Sequence, residues 1–167
     1  MARDPGRERG LRRQTPGRTV FAQPTLVLDL EQYRTVVAHC WDGFPEEACG
    51  LFLGPLAKDS TATGIVSHVY PCRNAEGSAR TYKIADVDYL RADNDARAQG
   101  LDIVGGWHSH THTDPYPSAT DVKKAPPLGP NFIFVIVSLR LAEPSLRAYQ
   151  IKGEEIVELA VEVPGLA

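Results

Sequence analysis

The sequence predicts an α/β fold in which helices flank a mixed β-sheet. Residues 132–139 are nearly all apolar, which is the pattern of a central strand buried on both faces. Residues 101–107 form a second apolar strand, and this strand leads directly into a histidine-rich segment. Apolar side chains within residues 30–41 recur at the spacing of one helix face. No internal repeat is visible, so a single layered domain is expected.

The first helix carries start and stop signals. Asp29 and Gln32 have the spacing of a capping box, and Gly43 followed by Pro45 ends the helix. An apolar run that stops at Gly54 then predicts a buried strand. Four strands are predicted in this half of the chain, at residues 25–28, 48–53, 63–70 and 81–84.

Two more helices are predicted in the second half of the chain. Asp86 is expected to cap a helix over residues 86–99, and Ser118 to cap a short helix over residues 118–124. A pair of prolines ends the second of these helices. A strand at 145–151 then pairs with the central strand, and a strand at 156–163 completes the sheet.

Residues 1–24 differ in composition from the rest of the chain. They hold six Arg against Asp4 and Glu8, a net charge of +4, and they show no hydrophobic periodicity. A disordered basic tail is therefore predicted, followed by one domain over residues 25–167. Because the whole chain carries −3, that domain carries −7. Such an acidic domain argues against nucleic acid as the main partner, although a nucleic-acid-binding arm is an alternative interpretation of the tail.

The cellular compartment is predicted from what the sequence contains and lacks. No apolar run reaches about 18 residues, so no transmembrane helix is expected. The N-terminus has arginines but no apolar core of a secretory signal. The three cysteines are odd in number and form no C-x-x-C pair, which favours a reducing compartment. We expect a cytoplasmic protein without a membrane segment.

The segment from His108 to Asp121 carries the strongest chemical signal. His108 and His110 are two residues apart at the end of the strand at 101–107, so both side chains can point to one face. Ser118 places Asp121 in the first turn of a short helix, which can return the carboxylate toward the strand end. Two imidazoles and one carboxylate are a common protein ligand set for catalytic zinc.

Other polar residues near this segment receive structural interpretations. His112 is taken as a solvent-facing loop residue, because Asp121 already completes the ligand set. Asp114 is taken to help the loop turn before Pro115. Ser109 is interpreted as a hydrogen-bonding neighbour of the histidines rather than as a nucleophile.

The pattern resembles the signature of the JAMM (MPN+) metallopeptidase family. That signature is His-Ser-His, seven residues, Ser, two residues and Asp, and residues 108–121 match it without a gap. The family also has a distant Glu three positions before a Gly at the start of an apolar strand, and Glu47 ahead of Gly50 matches this position. The resemblance covers most of residues 25–163. It implies the cytidine-deaminase-like MPN fold.

The resemblance also implies a role for each matching residue. One Zn²⁺ per chain is held by His108, His110 and Asp121. Glu47 acts as the general base on a water molecule, and Ser118 donates a hydrogen bond to the oxyanion. The resemblance is closest to short bacterial members of the CysO–cysteine peptidase type. The implied substrate is a ubiquitin-like sulfur-carrier protein, cut at its C-terminal glycine to release cysteine or a short extension.

Three alternatives accompany this interpretation, and the oligomeric state is left unassigned. A deubiquitinase-like isopeptidase ranks lower, because the chain is compact and lacks spare Cys and His ligands. A non-catalytic MPN scaffold would have lost zinc ligands, whereas this chain keeps all three and Glu47. A RadC-like protein has a similar loop but carries Asn between its histidines, where this chain has Ser109.

Overall fold

A computed structural model of the protein describes residues 22–167. The described chain forms one seven-stranded sheet flanked by three α-helices. The strands are β1 (Ala22–Val27), β2 (Cys49–Gly54), β3 (His68–Cys72), β4 (Asp102–His110), β5 (Ile133–Ser138), β6 (Ser145–Lys152) and β7 (Glu155–Glu162). The helices are α1 (Leu30–Gly43), α2 (Asp86–Ala98) and α3 (Ala119–Lys124), and a 3₁₀ turn at Pro126–Leu128 follows α3.

The sheet is mixed, as the sequence predicted. Its strand order is β1-β7-β6-β5-β4-β2-β3. The pairs β1–β7 and β4–β5 are parallel, and the other neighbouring pairs are antiparallel. The apolar strand β5 is the fourth of seven and is buried throughout, which confirms its predicted central position. β4 lies between β2 and β5, so both edges of the histidine-bearing strand are hydrogen-bonded.

Helices cover both faces of the sheet, and the central strands alternate between them. On one face, Val36 of α1 belongs to the same buried cluster as Phe52 and Trp107. On the other face, Leu51 and Leu53 belong to a cluster with Ala92 of α2. The short helix α3 lies on this second face too, where its Val122 packs near Phe134 and Ile136 of β5. Burial on both faces explains why β2 and β5 read as continuous apolar runs.

Several predicted elements are confirmed closely. Asp29 accepts from the backbone of Gln32, whose side chain bonds back to Asp29, so the capping box of α1 is present. The short strand β1, the buried strand β2 and the pairing of β6 with β5 also follow the sequence. None of the helices formed by residues 22–167 has the length and hydrophobicity needed to cross a membrane.

Three predicted details of the fold are wrong. The strand predicted at 63–70 begins later in the structure, where β3 occupies His68–Cys72. Ile65 lies outside β3 and makes a single bridge to Val27. Residues 81–84 form no strand, and their one bridge joins Ile84 to Asn74. Short apolar runs of this kind do not distinguish strands from buried loops.

The third wrong detail concerns the start of α2. The N-cap is Ala85, which makes no side-chain capping bond, and Asp86 is the first helical residue. Asp86 there faces Lys83 at 3.4 Å, and an acidic side chain in the first turn still complements the helix dipole. Of the predicted tail, residues 22–24 belong to β1, and the remainder lies outside the described residues.

Gly50 provides a test of core packing. A Cβ built on Gly50 would lie 2.1 Å from the ring of Trp107, which is 1% exposed and contacts the Phe52 ring in a tilted arrangement. We predict that Gly50→Ala destabilises the fold by about 1–3 kcal/mol through overpacking, measured by urea unfolding. In a Trp107→Phe background, which removes the ring atoms that would clash, the cost of Gly50→Ala should be smaller by about 1 kcal/mol. Equal costs in both backgrounds would contradict the packing argument.

Candidate metal centre

Three side chains converge at the end of β4. The Nε2 atoms of His108 and His110 are 3.1 Å apart. Asp121 lies against both rings, with Oδ1 at 3.3 Å from His108 Nε2 and Oδ2 at 3.4 Å from His110 Nε2. The potential ligand atoms of the three residues all lie within 4.8 Å of one another. The structure therefore brings together the three residues that the sequence predicted as metal ligands.

The strand fixes the two histidines. β4 continues through His110, three residues beyond the predicted strand at 101–107, so both histidines belong to a strand paired on each edge. Their i, i+2 spacing turns both rings to the same face. The side chains are buried, at 1% and 5% exposure for His108 and His110. The imidazoles therefore have little freedom to turn away from each other.

A capping box orients Asp121. The Ser118 hydroxyl accepts from the Asp121 backbone N–H at 3.1 Å, and Asp121 Oδ2 accepts from the Ser118 backbone N–H at 2.7 Å. The Ser118 hydroxyl also donates to Oδ2 at 2.7 Å. Because Oδ2 accepts two hydrogen bonds from Ser118, Oδ1 remains as the oxygen turned toward His108. The Ser-x-x-Asp spacing is thus an N-terminal helix cap that also positions the predicted ligand Asp121.

A backbone contact determines the proton position of His110. Its Nδ1–H donates to the carbonyl oxygen of Asp114 at 2.9 Å, because a carbonyl can only accept. In neutral His110, Nε2 therefore presents a lone pair toward His108 and Asp121. Such a contact between a histidine and a backbone carbonyl is usual for metal-bound imidazoles.

Electrostatics in this pocket favour a positive species among the three side chains. Burial acts to raise the pKa of Asp121, but hydrogen bonds from His108 and His110 outweigh it and hold that pKa well below its usual value. Burial also acts to lower the pKa of His110, whereas Asp121 and the Asp114 carbonyl raise it overall. Burial lowers the pKa of His108. Two imidazole nitrogens and a carboxylate thus face one another, and a proton or a metal cation must offset their electron density.

The donor set fits a transition-metal ion. Imidazole nitrogens and a carboxylate oxygen suit zinc and its neighbours better than they suit Ca²⁺ or Mg²⁺, which prefer all-oxygen sites. The three residues can hold such an ion and leave further coordination positions open. Their interatomic distances, near 3 Å, are the usual separation of ligands around one small cation.

Glu47 lies next to this group, two residues before the start of β2. Its side chain is 6% exposed, and no described residue forms a hydrogen bond with its carboxylate. Burial is the main cause that raises its pKa to about 7, and the nearby His110 and Asp121 act on it in opposite directions. Both backbone polar groups of Glu47 are hydrogen-bonded. Its N–H donates to the Ser78 carbonyl, and its carbonyl accepts from the Asn74 side chain.

Ser109, between the two histidines, points to the opposite face of β4 and holds β2 in place. Its hydroxyl accepts from the Ala48 backbone N–H at 2.8 Å, and its own N–H donates to the Ala48 carbonyl at 2.9 Å. Because Ala48 follows Glu47, this contact fixes the position of Glu47 relative to the histidines. The interpretation of Ser109 as a hydrogen-bonding neighbour therefore agrees with its contacts.

Two contributors were not identified in the sequence. Tyr82 stacks on the His108 ring, with centroids 4.3 Å apart and planes inclined by 19°. Asn74 bonds the Glu47 carbonyl at 2.9 Å and the Thr81 carbonyl at 3.1 Å, which ties the loop to the site. Because residues 81–84 were interpreted as a strand, the sequence did not predict that Tyr82 contacts His108. No sequence spacing relates Asn74 to the site, because the contact arises only from the folded loop.

Comparison with known proteins gives the family and the fold. Residues 30–152 match the model described as prokaryotic homologs of the JAB domain. A JAB1/MPN domain protein from Archaeoglobus fulgidus has a similar crystal structure, with a TM-score of 0.52 and 20% sequence identity. The match covers 82% of this chain and 98% of that protein, and at this identity it supports the fold alone.

Two proteins of named activity are similar in sequence. A CysO-cysteine peptidase from Mycobacterium tuberculosis is 36% identical over 144 residues, covering 83% of this chain and 90% of the relative. A desampylase from Haloferax volcanii is 30% identical over 134 residues, covering 77% of this chain and 89% of the relative. The match to the family model spans most of the chain and includes both histidines, Asp121 and Glu47. This chain therefore belongs to the family of prokaryotic homologs of the JAB domain and has the MPN fold.

Proposed function

We propose that this protein is a zinc-dependent peptidase that acts on a ubiquitin-like sulfur-carrier protein. It hydrolyses the amide bond after the C-terminal glycine and releases cysteine or a short extension. The observation that carries the proposal is the convergence of His108, His110 and Asp121 beside the buried carboxylate of Glu47. One Zn²⁺ per chain would be held by the two Nε2 atoms and by Asp121 Oδ1.

Zinc, when bound, supplies a Lewis acid that lowers the pKa of a water molecule toward neutrality and polarises a carbonyl group. The protein residues then provide proton transfer and orientation. Glu47 accepts a proton from the attacking water and passes it to the leaving amine, as a general base and then a general acid. A pKa raised toward 7 by burial suits a group that both takes and gives a proton near neutral pH.

Ser118 has two functions in this proposal. Its hydroxyl helps to orient Asp121, and it also donates to the oxyanion that develops on the glycine carbonyl. A hydroxyl has one proton, and here that proton points to Asp121 Oδ2 at 2.7 Å. The second function therefore requires the Ser118 hydroxyl to rotate from Asp121 toward the substrate, while the backbone N–H of Ser118 keeps its bond to Oδ2.

The proposed substrate rests on the relatives and on an apolar groove beside the site. The similarity to a CysO-cysteine peptidase covers 90% of that relative. A groove of about 290 Å³ runs next to the site, and Tyr82, Ile84 and Phe132 contribute to its walls. A flexible glycine-rich tail needs only such a narrow path to bring its last carbonyl to the site.

A deubiquitinase-like isopeptidase is the second candidate, because the similarity to a desampylase favours a substrate conjugated to another protein. A non-catalytic scaffold is disfavoured by the presence of all three ligand residues and Glu47.

The three cysteines are buried free thiols, which fits the proposed location in the reducing cytoplasm.

The proposed activity predicts cleavage of a defined adduct. CysO carrying one cysteine after its terminal glycine should lose that residue when incubated with the zinc-loaded protein, as measured by intact-protein mass spectrometry. A chelator should stop the reaction, and added zinc should restore it. If polyubiquitin is cleaved efficiently and the CysO–cysteine adduct is not, the isopeptidase candidate is correct instead.

The role of Glu47 predicts a selective loss of turnover. Glu47→Gln should keep the fold and one zinc per chain, while kcat falls by about 10²-fold or more because the proton acceptor is gone. The neighbouring residue offers a matched control, since Glu46 is exposed. Glu46→Gln should retain kcat close to that of the wild type. A reversal of these two results would show that the wrong glutamate has been assigned.

The raised pKa of Glu47 predicts how the stability of the metal-free protein depends on pH. The folded-state pKa is about 7 against an ordinary value of 4.5, so Glu47 favours the folded state most below pH 4.5. This contribution is lost as the pH rises from 4.5 through 7. Unfolding of chelator-treated wild type and Glu47→Gln should therefore show the variant gaining relative stability across that interval. A difference independent of pH would contradict the raised pKa.

A further inference from the structure

A second, charged cleft lies beside the metal centre, with a volume of about 510 Å³. One wall is the loop that contains Asp114 and Tyr116, and the opposite wall is the β5–β6 connection that contains Arg140. Arg147 of β6 also lines the cleft. None of its lining residues contributes to the apolar groove next to Tyr82. The charged cleft and the apolar groove are therefore separate cavities.

Asp114 connects this cleft directly to the metal centre. Its carbonyl oxygen accepts from His110 Nδ1, while its carboxylate Oδ1 contacts Arg140 Nη1 at 2.6 Å. The start of the β5–β6 connection is fixed too, because the Leu139 N–H donates to the His110 carbonyl at 2.9 Å. Only Asp114 separates the Arg140 guanidinium from a ligand residue. Arg140 is therefore connected to the metal centre through Asp114, on the Nδ1 side of His110.

The guanidinium of Arg140 has donors available for a ligand. Its contact with Asp114 uses Nη1, and no other described acceptor is bonded to the guanidinium. The Arg140 side chain is 54% exposed, so an incoming anion can reach it. Arg147 approaches its nearest carboxylate, on Glu158, only at 3.7 Å. A planar guanidinium with free N–H groups is well suited to bind a carboxylate through two parallel hydrogen bonds.

We propose that Arg140 binds the free α-carboxylate of the residue that is released. This inference rests on the proposed peptidase function and adds the feature by which the leaving residue is recognised. In this proposal the glycine tail occupies the apolar groove, and the leaving residue extends toward the charged cleft, which shares no lining residue with that groove. A single C-terminal residue carries its carboxylate one Cα atom beyond the scissile nitrogen. An isopeptide-linked lysine inside a folded protein has no carboxylate at that position, so Arg140 selects a terminal residue over a conjugated protein.

The test compares two substrates that differ only in this carboxylate. CysO–cysteine and CysO–cysteinamide are incubated with the zinc-loaded full chain, and the ratio of their kcat/KM values is measured. The wild type should prefer the free acid by about tenfold or more, the size expected for hydrogen bonds to a charged group. Arg140→Gln should reduce this ratio to below about threefold. Arg140→Lys, which keeps the charge but not the planar fork, should give an intermediate ratio.

Two control variants separate ligand recognition from a structural role. Arg97→Gln removes a different exposed arginine, paired with Asp93 on α2, and should keep the wild-type ratio. Asp114→Asn breaks the ion pair with Arg140 but keeps the backbone carbonyl that binds His110. If Arg140 only braces this loop, Asp114→Asn and Arg140→Gln should slow both substrates alike and leave the ratio unchanged. If Arg140 binds substrate, Asp114→Asn should preserve or increase the preference for the acid.

Binding without turnover gives an independent measurement. In the Glu47→Gln background, calorimetry should show weaker binding of CysO–cysteine after Arg140→Gln, while the two proteins bind CysO–cysteinamide with similar affinity. Equal hydrolysis of acid and amide by the wild type would overturn the role of Arg140 and leave the peptidase proposal intact. Hydrolysis of neither adduct would instead count against the proposed function itself.

Discussion

The structure depends on the close approach of two imidazole nitrogens and one carboxylate in a buried pocket. His108 and His110 bring their Nε2 atoms to 3.1 Å, and Asp121 lies within 3.4 Å of each. Side chains rich in lone pairs remain together in a low-dielectric pocket only when a hydrogen-bonding proton or a metal cation lies between them. The fold maintains the arrangement by fixing every member separately, which is the preorganisation that the proposed zinc site requires.

The contacts that hold these residues in position are also contacts that stabilise the fold. The pairing of β4 with β2 and β5 holds both histidines, and the alternation of the strand gives the residue between them a different task. Ser109 faces away from the pocket and bonds Ala48, which positions Glu47. The cap of α3 holds Asp121, and α3 packs through Val122 against β5. The spacing of the His-Ser-His and Ser-x-x-Asp pattern thus follows from strand alternation and helix capping as much as from chemistry.

The convergence of the three proposed ligands could be predicted from the sequence because it depends on local geometry. Strand period and a capping box act over two or three residues, and both are visible in the spacing of His108, His110, Ser118 and Asp121. Tyr82 and Asn74 could not be found in this way, since their contacts with the site come from a loop whose path is set by tertiary packing. The same long-range packing explains why residues 81–84 were misassigned as a strand.

The central claim is that this pocket binds zinc through two imidazoles and one carboxylate, and X-ray absorption at the zinc edge tests it most directly. The zinc-loaded wild type should show only nitrogen and oxygen neighbours at about 2.0–2.2 Å, with outer-shell scattering from two imidazoles. His110→Ala should lose the signal of one imidazole or fail to retain zinc. Sulfur neighbours at about 2.3 Å would place the metal on cysteine instead. That result, or a wild type that binds no zinc, would contradict the account.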